Sequence, residues 1–293
     1  MDIIIGVLEQ GLIYAIMAFG VYITYTILDF PDLTVDGSLP LGAAVSAVLI
    51  TKGVNPYLSL LAALGCGAVA GFLTGFIHVK FKVRNLLASI IMMTALYSVN
   101  LHIAGKANLA LFDFNTIFNS GIGALLPASL SRYHTLIIAL VMVVIVKIAL
   151  DLYLRTKSGY LLRAVGDNPV LVTSLAKNNG SVKILGLTIA NALVALSGAI
   201  LAQQQRFFEA TMGIGAVVIG LATVIIGTNM FKNVRFIKST TAVIIGSILY
   251  KGCVAGAIAL GMNAIDLKLI MAILFLVILI VSRERKKKVK QNA

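Results

Sequence analysis

Runs of about twenty consecutive apolar residues leave this chain few ways to fold. A helix of that length crosses the hydrocarbon core of a bilayer while satisfying its own backbone hydrogen bonds. Nine apolar blocks can be read, at roughly 4–28, 39–51, 57–79, 85–104, 134–154, 183–204, 214–231, 239–262 and 267–282. Hydrophobic residues make up 59% of the 293 residues and charged ones 12%, too little polar surface to coat a water-soluble domain. The expected fold is all-α, a single polytopic membrane helix bundle over residues 1–293 with about nine spans, eight to ten given soft block ends. The first block follows Asp2 rather than a basic cluster and is too long for a signal core, so it reads as a retained span.

The net charge of +13 would suit nucleic acid if it were spread along the chain, but it is not. Seventeen of the 24 basic residues fall in four intervals: Lys80 to Arg84, Arg155 to Lys183, Lys232 to Lys238, and Arg283 to Lys290. Alternating spans put all four on one side, and short basic loops mark the cytoplasmic side. The loop 155–182 and the tail 283–293 are therefore expected to be cytoplasmic, and the connection 105–133 external. No nucleic-acid partner is expected. Cys66 and Cys253 both lie in apolar blocks, which argues against a disulfide framework or a zinc site.

The second block is the weak point of the span count. Residues 39–51 make only about 20 Å of helix, short of a ~30 Å hydrocarbon core. Asp29-Phe-Pro-Asp-Leu-Thr-Val-Asp-Gly-Ser38 precedes it. That stretch is either a cytoplasmic loop feeding a short span or a helix broken inside the membrane, and a broken helix over 29–51 is preferred. A faint echo relates Gly11-Leu12, the polar run 29–38 and Gly42 to Gly186-Leu187, the run 203–213 and Gly215/Gly220. The two copies would run in opposite directions, and weak inverted repeats with interrupted helices are a transporter hallmark. Residues 105–133 are expected to carry a short interfacial helix, either a lid or a docking surface.

No enzymatic constellation is present. His78, His102 and His134 have no ligand spacing to a carboxylate or cysteine, and no phosphate-cradling glycine loop occurs. Polar groups inside apolar blocks carry more information, because they are costly in hydrocarbon unless satisfied. Lys251 either lines a path or pairs with a carboxylate such as Glu209 or Asp36, and the pair is preferred. Lys147 and Asp151 read as an i,i+4 pair. Asn100, Asn191 and Asn229 read as interhelical hydrogen-bond partners. Gln203, Gln204 and Gln205 either meet a polar solute or cap a helix at the headgroups. Gly67, Gly71 and Gly75 put three glycines on one helix face, which close packing within one bundle explains and which hints only weakly at a dimer.

The basic interval in the middle of the chain contains a helix start. Asn168 can cap with its side-chain oxygen, and Pro169 suits the first helical position, where no backbone donor is needed. Val170, Leu171, Ser174 and Leu175 follow as an apolar stripe, so a short helix outside the membrane is expected, a handle for another protein.

The run Arg155-Thr-Lys-Ser-Gly-Tyr-Leu-Leu-Arg-Ala-Val-Gly-Asp-Asn-Pro169 and the span Gly186 to Ala199 resemble ABC-importer permeases of the ribose and branched-chain amino-acid type. Leu33 to Ala43 resembles a subgroup paired with binding proteins for aromatic amino acids or related solutes. The resemblance covers about residues 5 to 280. It implies a prokaryotic inner-membrane permease, not an enzyme, working as a homodimer with a cytoplasmic ABC ATPase dimer and an extracellular solute-binding protein. It implies no cofactor on this chain, with ATP and magnesium held by the ATPase. Asp167 and Asn168 would cap a coupling helix running to about Lys177, and Pro169, Leu171, Val172 and Leu175 would serve the ATPase contact. The basic tail departs from the family and reads as an anionic-lipid anchor.

Asp36, Ser38, Gln203, Gln204 and Lys251 are the expected lining of a translocation path. The alternative is a gradient-driven secondary transporter or channel, which predicts several ionisable groups deep in the spans. Lys251 is the main candidate of that kind.

Overall fold

A computed structural model of the chain describes residues 2–121, 133–168, 172, 178–232, 234, 236–261, 266, 269 and 271–280. Each apolar block is helical among them. α1 (Asp2–Val21) runs on through a π-helical turn, Tyr22–Ile27. Then come α2 (Val35–Thr51), α3 (Pro56–Lys80), α4 (Asn85–Ala104) and α5 (His134–Tyr153). A short helix α6 (Lys157–Asp167) precedes α7 (Asn179–Gln205), α8 (Ala216–Met230), α9 (Ser239–Ala259) and α10 (Met271–Ile280). Six of these are long and apolar enough to cross a membrane, and α2, α8 and α10 are shorter.

The bundle is wrapped around α7, which packs against α1, α2 and α3, while α1, α8 and α9 form a second group. Glycine sets these distances. A Cβ at Gly71 would overlap the carbonyl of Leu187, and one at Gly67 would meet Ala195 and the carbonyl of Asn191. Gly42 on α2 and Gly198 on α7 make equivalent approaches to the carbonyls of Ala195 and Leu39. Backbones therefore touch where a side-chain layer normally separates helices. The α3 glycine stripe is used within this chain.

The basic intervals converge. Lys82 and Arg84 share one surface pocket with Lys183, and Arg155 and Arg163 share another with Lys238. Three of the four basic intervals thus sit at one end of the bundle. Asp151 ties that end together, bonded to Lys147 and Lys238 at 3.0 Å each and accepting from the Thr240 hydroxyl at 2.7 Å. The expected i,i+4 pair is therefore part of a larger cluster.

The described connections hold two elements that the sequence did not suggest, a ribbon and a helix. Residues 105–121 hold no helix. Asn108–Ala110 instead pairs antiparallel with Phe207–Glu209 as a two-stranded ribbon. Residues 157–167 form the amphipathic helix α6, with Leu162 and Val165 buried and the Thr156 hydroxyl accepting from the Gly159 N–H. Asn168 ends α6 by donating its N–H to Ala164, and its carbonyl accepts from the Val172 N–H, as an N-cap residue's does. Val172, expected to face an ATPase, is fully buried and so is unavailable to a partner. Pro169, Leu171 and Leu175, the rest of the expected coupling helix, residues 122–132 and the basic tail lie outside the described residues.

Candidate functional site

Residues 28–38 explain why the second block looked short. The chain leaves the π turn at Ile27, takes positive φ at Asp29 and enters α2 only at Val35. Polar side chains hold this break inside the bundle. Asp32 Oδ1 accepts from the Thr34 N–H at 2.9 Å, and its Oδ2 accepts from Asn191 Nδ2 at 2.8 Å. The Ser38 hydroxyl donates to Asn191 Oδ1 at 2.7 Å. The Thr34 and Thr74 hydroxyls lie 3.0 Å apart, and the Thr74 hydroxyl is also 3.0 Å from the Ala70 carbonyl. Asp32, Thr34, Ser38, Thr74 and Asn191 are all buried, so the cluster replaces the water that an irregular segment would otherwise need.

Asn191 lies near the middle of the 27-residue α7, so α2 begins halfway along the bundle. From there it runs toward the far end, where its Ser46 meets Gln203. Its interior Pro40 has no N–H to offer the Asp36 carbonyl, and Gly213 packs on that carbonyl instead. α8 starts at the same level but runs the other way, toward the basic end, where its Gly227 lies against Ala242 near the start of α9. The Asp36 carboxylate joins the two starts, accepting the Gly215 N–H at 3.1 Å and the Val217 N–H at 2.8 Å. An acidic group at the positive end of α8 satisfies orphan amides and the helix dipole together. Two interrupted helices of opposite direction thus meet N-terminus to N-terminus.

Beside this junction lies a cavity of about 260 Å³, bordered by Asp36, Gly37, Pro40, Met93, Thr94, Tyr97, Asn100, Ala210 and Ile214. Of the five residues expected on a path, only Asp36 reaches it. Ser38 is committed to Asn191 and fully buried. Gln203 is buried and fully used. Its amide donates to Ser46, Ser59 and the Pro56 carbonyl, and its Oε1 accepts the Ile117 N–H at 2.9 Å. It pins α2, α3, α7 and the connection 105–121 together, buried and away from the cavity. Gln204 is half-buried and does not line the cavity. Lys251 sits 3.5 Å over the Tyr14 ring and 3.4 Å from Gln10 Oε1, so its partners are on α1 and not the carboxylates Glu209 or Asp36. Asn100 and Tyr97 were not expected on a path. A lone asparagine in an apolar block reads as an interhelical bond, and one half of Asn100 is one.

We expect Gln203→Leu to lower the thermal unfolding midpoint while leaving the KM for solute unchanged. Each buried partner left unpaired costs about 1–3 kcal/mol. A changed KM with an unchanged midpoint would return Gln203 to the path.

Among the described residues no group of three or more His, Cys, Asp or Glu side chains is placed to hold a metal. The family model for the permease component of branched-chain amino acid transport systems matches residues 3–282. A tyrosine transport system permease protein of Clostridioides difficile (strain R20291) is 49% identical over 276 residues, covering 94% of this chain and 90% of that protein. The ribose import permease protein RbsC of Escherichia coli (strain K12) is 27% identical over 226 residues, covering 76% and 68%. A probable branched-chain amino acid transport permease protein, LivH of Methanocaldococcus jannaschii, is 25% identical over 221 residues, covering 70% and 68%. No solved structure matches the chain.

Proposed function

The chain belongs to the permease-component family of branched-chain amino acid transport systems, and from that premise we propose that it carries tyrosine or a related aromatic amino acid inward. It is a multi-pass membrane permease, the transport component of an ABC-type system. In our reading an extracellular binding protein delivers the solute, two permease copies enclose the path, and a separate ATPase pair supplies energy from ATP. Nine spans then place the basic end and the C-terminus in the cytoplasm of a prokaryotic cell. The observation that carries the path is the junction at Asp36, where two half-helices meet beside a cavity halfway along the bundle. Discontinuous helices meeting at mid-depth are where transporters bind their solutes.

The same reading gives a route for force. Gly166 at the end of α6 lies directly against the carbonyl of Ile27, and Leu28 and Leu162 both pack on Gly186. A push on the loop 155–182 therefore reaches the residues that lead into the break and α2. As the two ATPases close on ATP, the coupling loops move together, and α2 shifts against α8 at Asp36. This favours a driven permease over a gradient-driven carrier. The deep lysine that the carrier reading relied on, Lys251, lies on the α1–α9 face, away from the cavity.

The test is uptake of labelled L-tyrosine into proteoliposomes holding the permease, its ATPase and its binding protein, with ATP on the ATPase side. ATP-dependent accumulation is expected, and gradient-driven uptake without ATP would sink the reading. Leu171→Asp together with Leu175→Asp tests the coupling helix. A charge at an interface hot spot costs about 2 kcal/mol or more, so ATPase co-purification should weaken roughly 30-fold. Intact assembly with normal uptake would remove the assignment.

A further inference from the structure

We propose that the cavity beside Asp36 is an amine-receiving station, in which the side-chain carbonyl of Asn100 accepts an N–H from the protonated amine of the solute. This rests on reading the cavity as part of the solute path. Asn100 is fully buried on α4, and its Nδ2 donates to the Gly37 carbonyl at 3.1 Å. That bond fixes the amide. Turned over, it would set Oδ1 against the Gly37 carbonyl, acceptor against acceptor. In the fixed orientation Oδ1 is buried with no hydrogen-bond partner among the described residues. A buried carbonyl without a donor is rare and costly, and Asn100 is among the residues that border a cavity large enough for one small molecule.

The surroundings set the chemistry of that donor. Asp36, bonded on both oxygens to α8 amides, contributes negative charge one residue before the Gly37 anchor. Among the described residues no basic side chain borders the cavity. The Thr94 hydroxyl proton is committed to the Ile90 carbonyl, so it cannot serve a carboxylate. Met93, Pro40, Tyr97 and Ile214 supply apolar and aromatic wall, with the Tyr97 hydroxyl left for the far end of the solute. An ammonium group at one end and an aromatic body beyond it fit this set. An anion without an amine does not, because its charge would face Asp36 and Asn100 Oδ1 would stay unpaired. A site built around a hydrogen bond rejects the analogue that lacks it.

The experiment reads occupancy without transport. In full-length permease with Cys66 and Cys253 changed to serine, Thr94→Cys places a thiol in the exposed mouth of the cavity, and maleimide labelling in lipid vesicles is timed. Tyramine and 4-hydroxyphenylpropionate are the probes, alike in the phenol and differing in the amine. At twice its Kd, tyramine leaves about one third of sites open, so labelling slows roughly threefold, while 4-hydroxyphenylpropionate leaves the rate unchanged. Asn100→Leu is expected to abolish the tyramine effect. Equal slowing by both probes, no slowing by tyramine, or slowing that survives Asn100→Leu would each overturn the proposal. If Asn100→Leu does not fold, the selectivity of the Asn100 protein between the two probes still decides. Tyramine protection in a protein that fails to accumulate tyrosine would uphold the amine site and remove the tyrosine reading. The converse result would do the reverse.

Discussion

Asn191→Leu should cost the chain most of its folded yield, although leucine keeps the same number of side-chain heavy atoms and the same branch at Cγ. Both ends of the Asn191 amide are committed to the break. Nδ2 serves the buried Asp32 carboxylate and Oδ1 takes the Ser38 proton. Leucine leaves Asp32 without its amide donor from α7 and strands a buried hydroxyl. Losing a hydrogen bond to a buried charged group costs about 1.5–3 kcal/mol, and stranding a buried hydroxyl adds about 1–3 kcal/mol. That is a large share of a total stability of about 5–15 kcal/mol. The readout is the monodisperse fraction after detergent extraction and the unfolding midpoint of what survives. Asp32→Asn in the same background should recover part of the loss, because a neutral amide tolerates the missing partner better. A wild-type midpoint for Asn191→Leu would mean that the break is held by something other than this cluster.

Asp36→Leu should abolish uptake while sparing more of the fold. The carboxylate accepts two charge-assisted bonds from the first turn of α8, each worth about 1.5–3 kcal/mol. Without it Gly215 and Val217 lose their acceptor and the two half-helices lose their link. The damage is local, so hydrogen exchange at those two amides is the direct probe. A loss of about 3 kcal/mol corresponds to exchange roughly a hundredfold faster. Asp36→Asn keeps one acceptor oxygen and should fall between Leu and Asp in both exchange and uptake. Unchanged exchange with lost uptake would instead mark Asp36 as a purely solute-facing group.

The apolar blocks were readable because hydrocarbon imposes one rule on every span, and each block proved helical. The start of α2 was placed four residues late. Val35-Asp-Gly-Ser38 reads as polar loop, and only contacts with Asn191 and Gly215, more than 150 residues away, show it as the first turn of a helix. Gln203 misled for the same reason. A glutamine near a helix end looks available until Ser46, Ser59 and Ile117 are seen around it. Lys251 was expected to need a carboxylate, whereas an aromatic face and an amide oxygen hold it. The ribbon was hidden because Asn108–Ala110 and Phe207–Glu209 are too short and too distant in sequence to suggest a pair. Asn191 was legible as an interhelical donor, and the glycine stripe of α3 as a packing face. Partners across the bundle were not legible, because hydropathy carries no information about which span a polar atom meets.

The glycine contacts around α7 have a mechanical consequence. Helices that slide past one another do so through side chains that change rotamer, a compliant layer between stiff rods. Where Gly42, Gly67, Gly71 and Gly198 bring main chain against main chain, that layer is missing and nothing is left to yield. α2, α3 and α7 are thereby fused into one stiff plate that can tilt but not shear. In the proposed cycle, a push from the basic end turns this plate whole instead of shearing it.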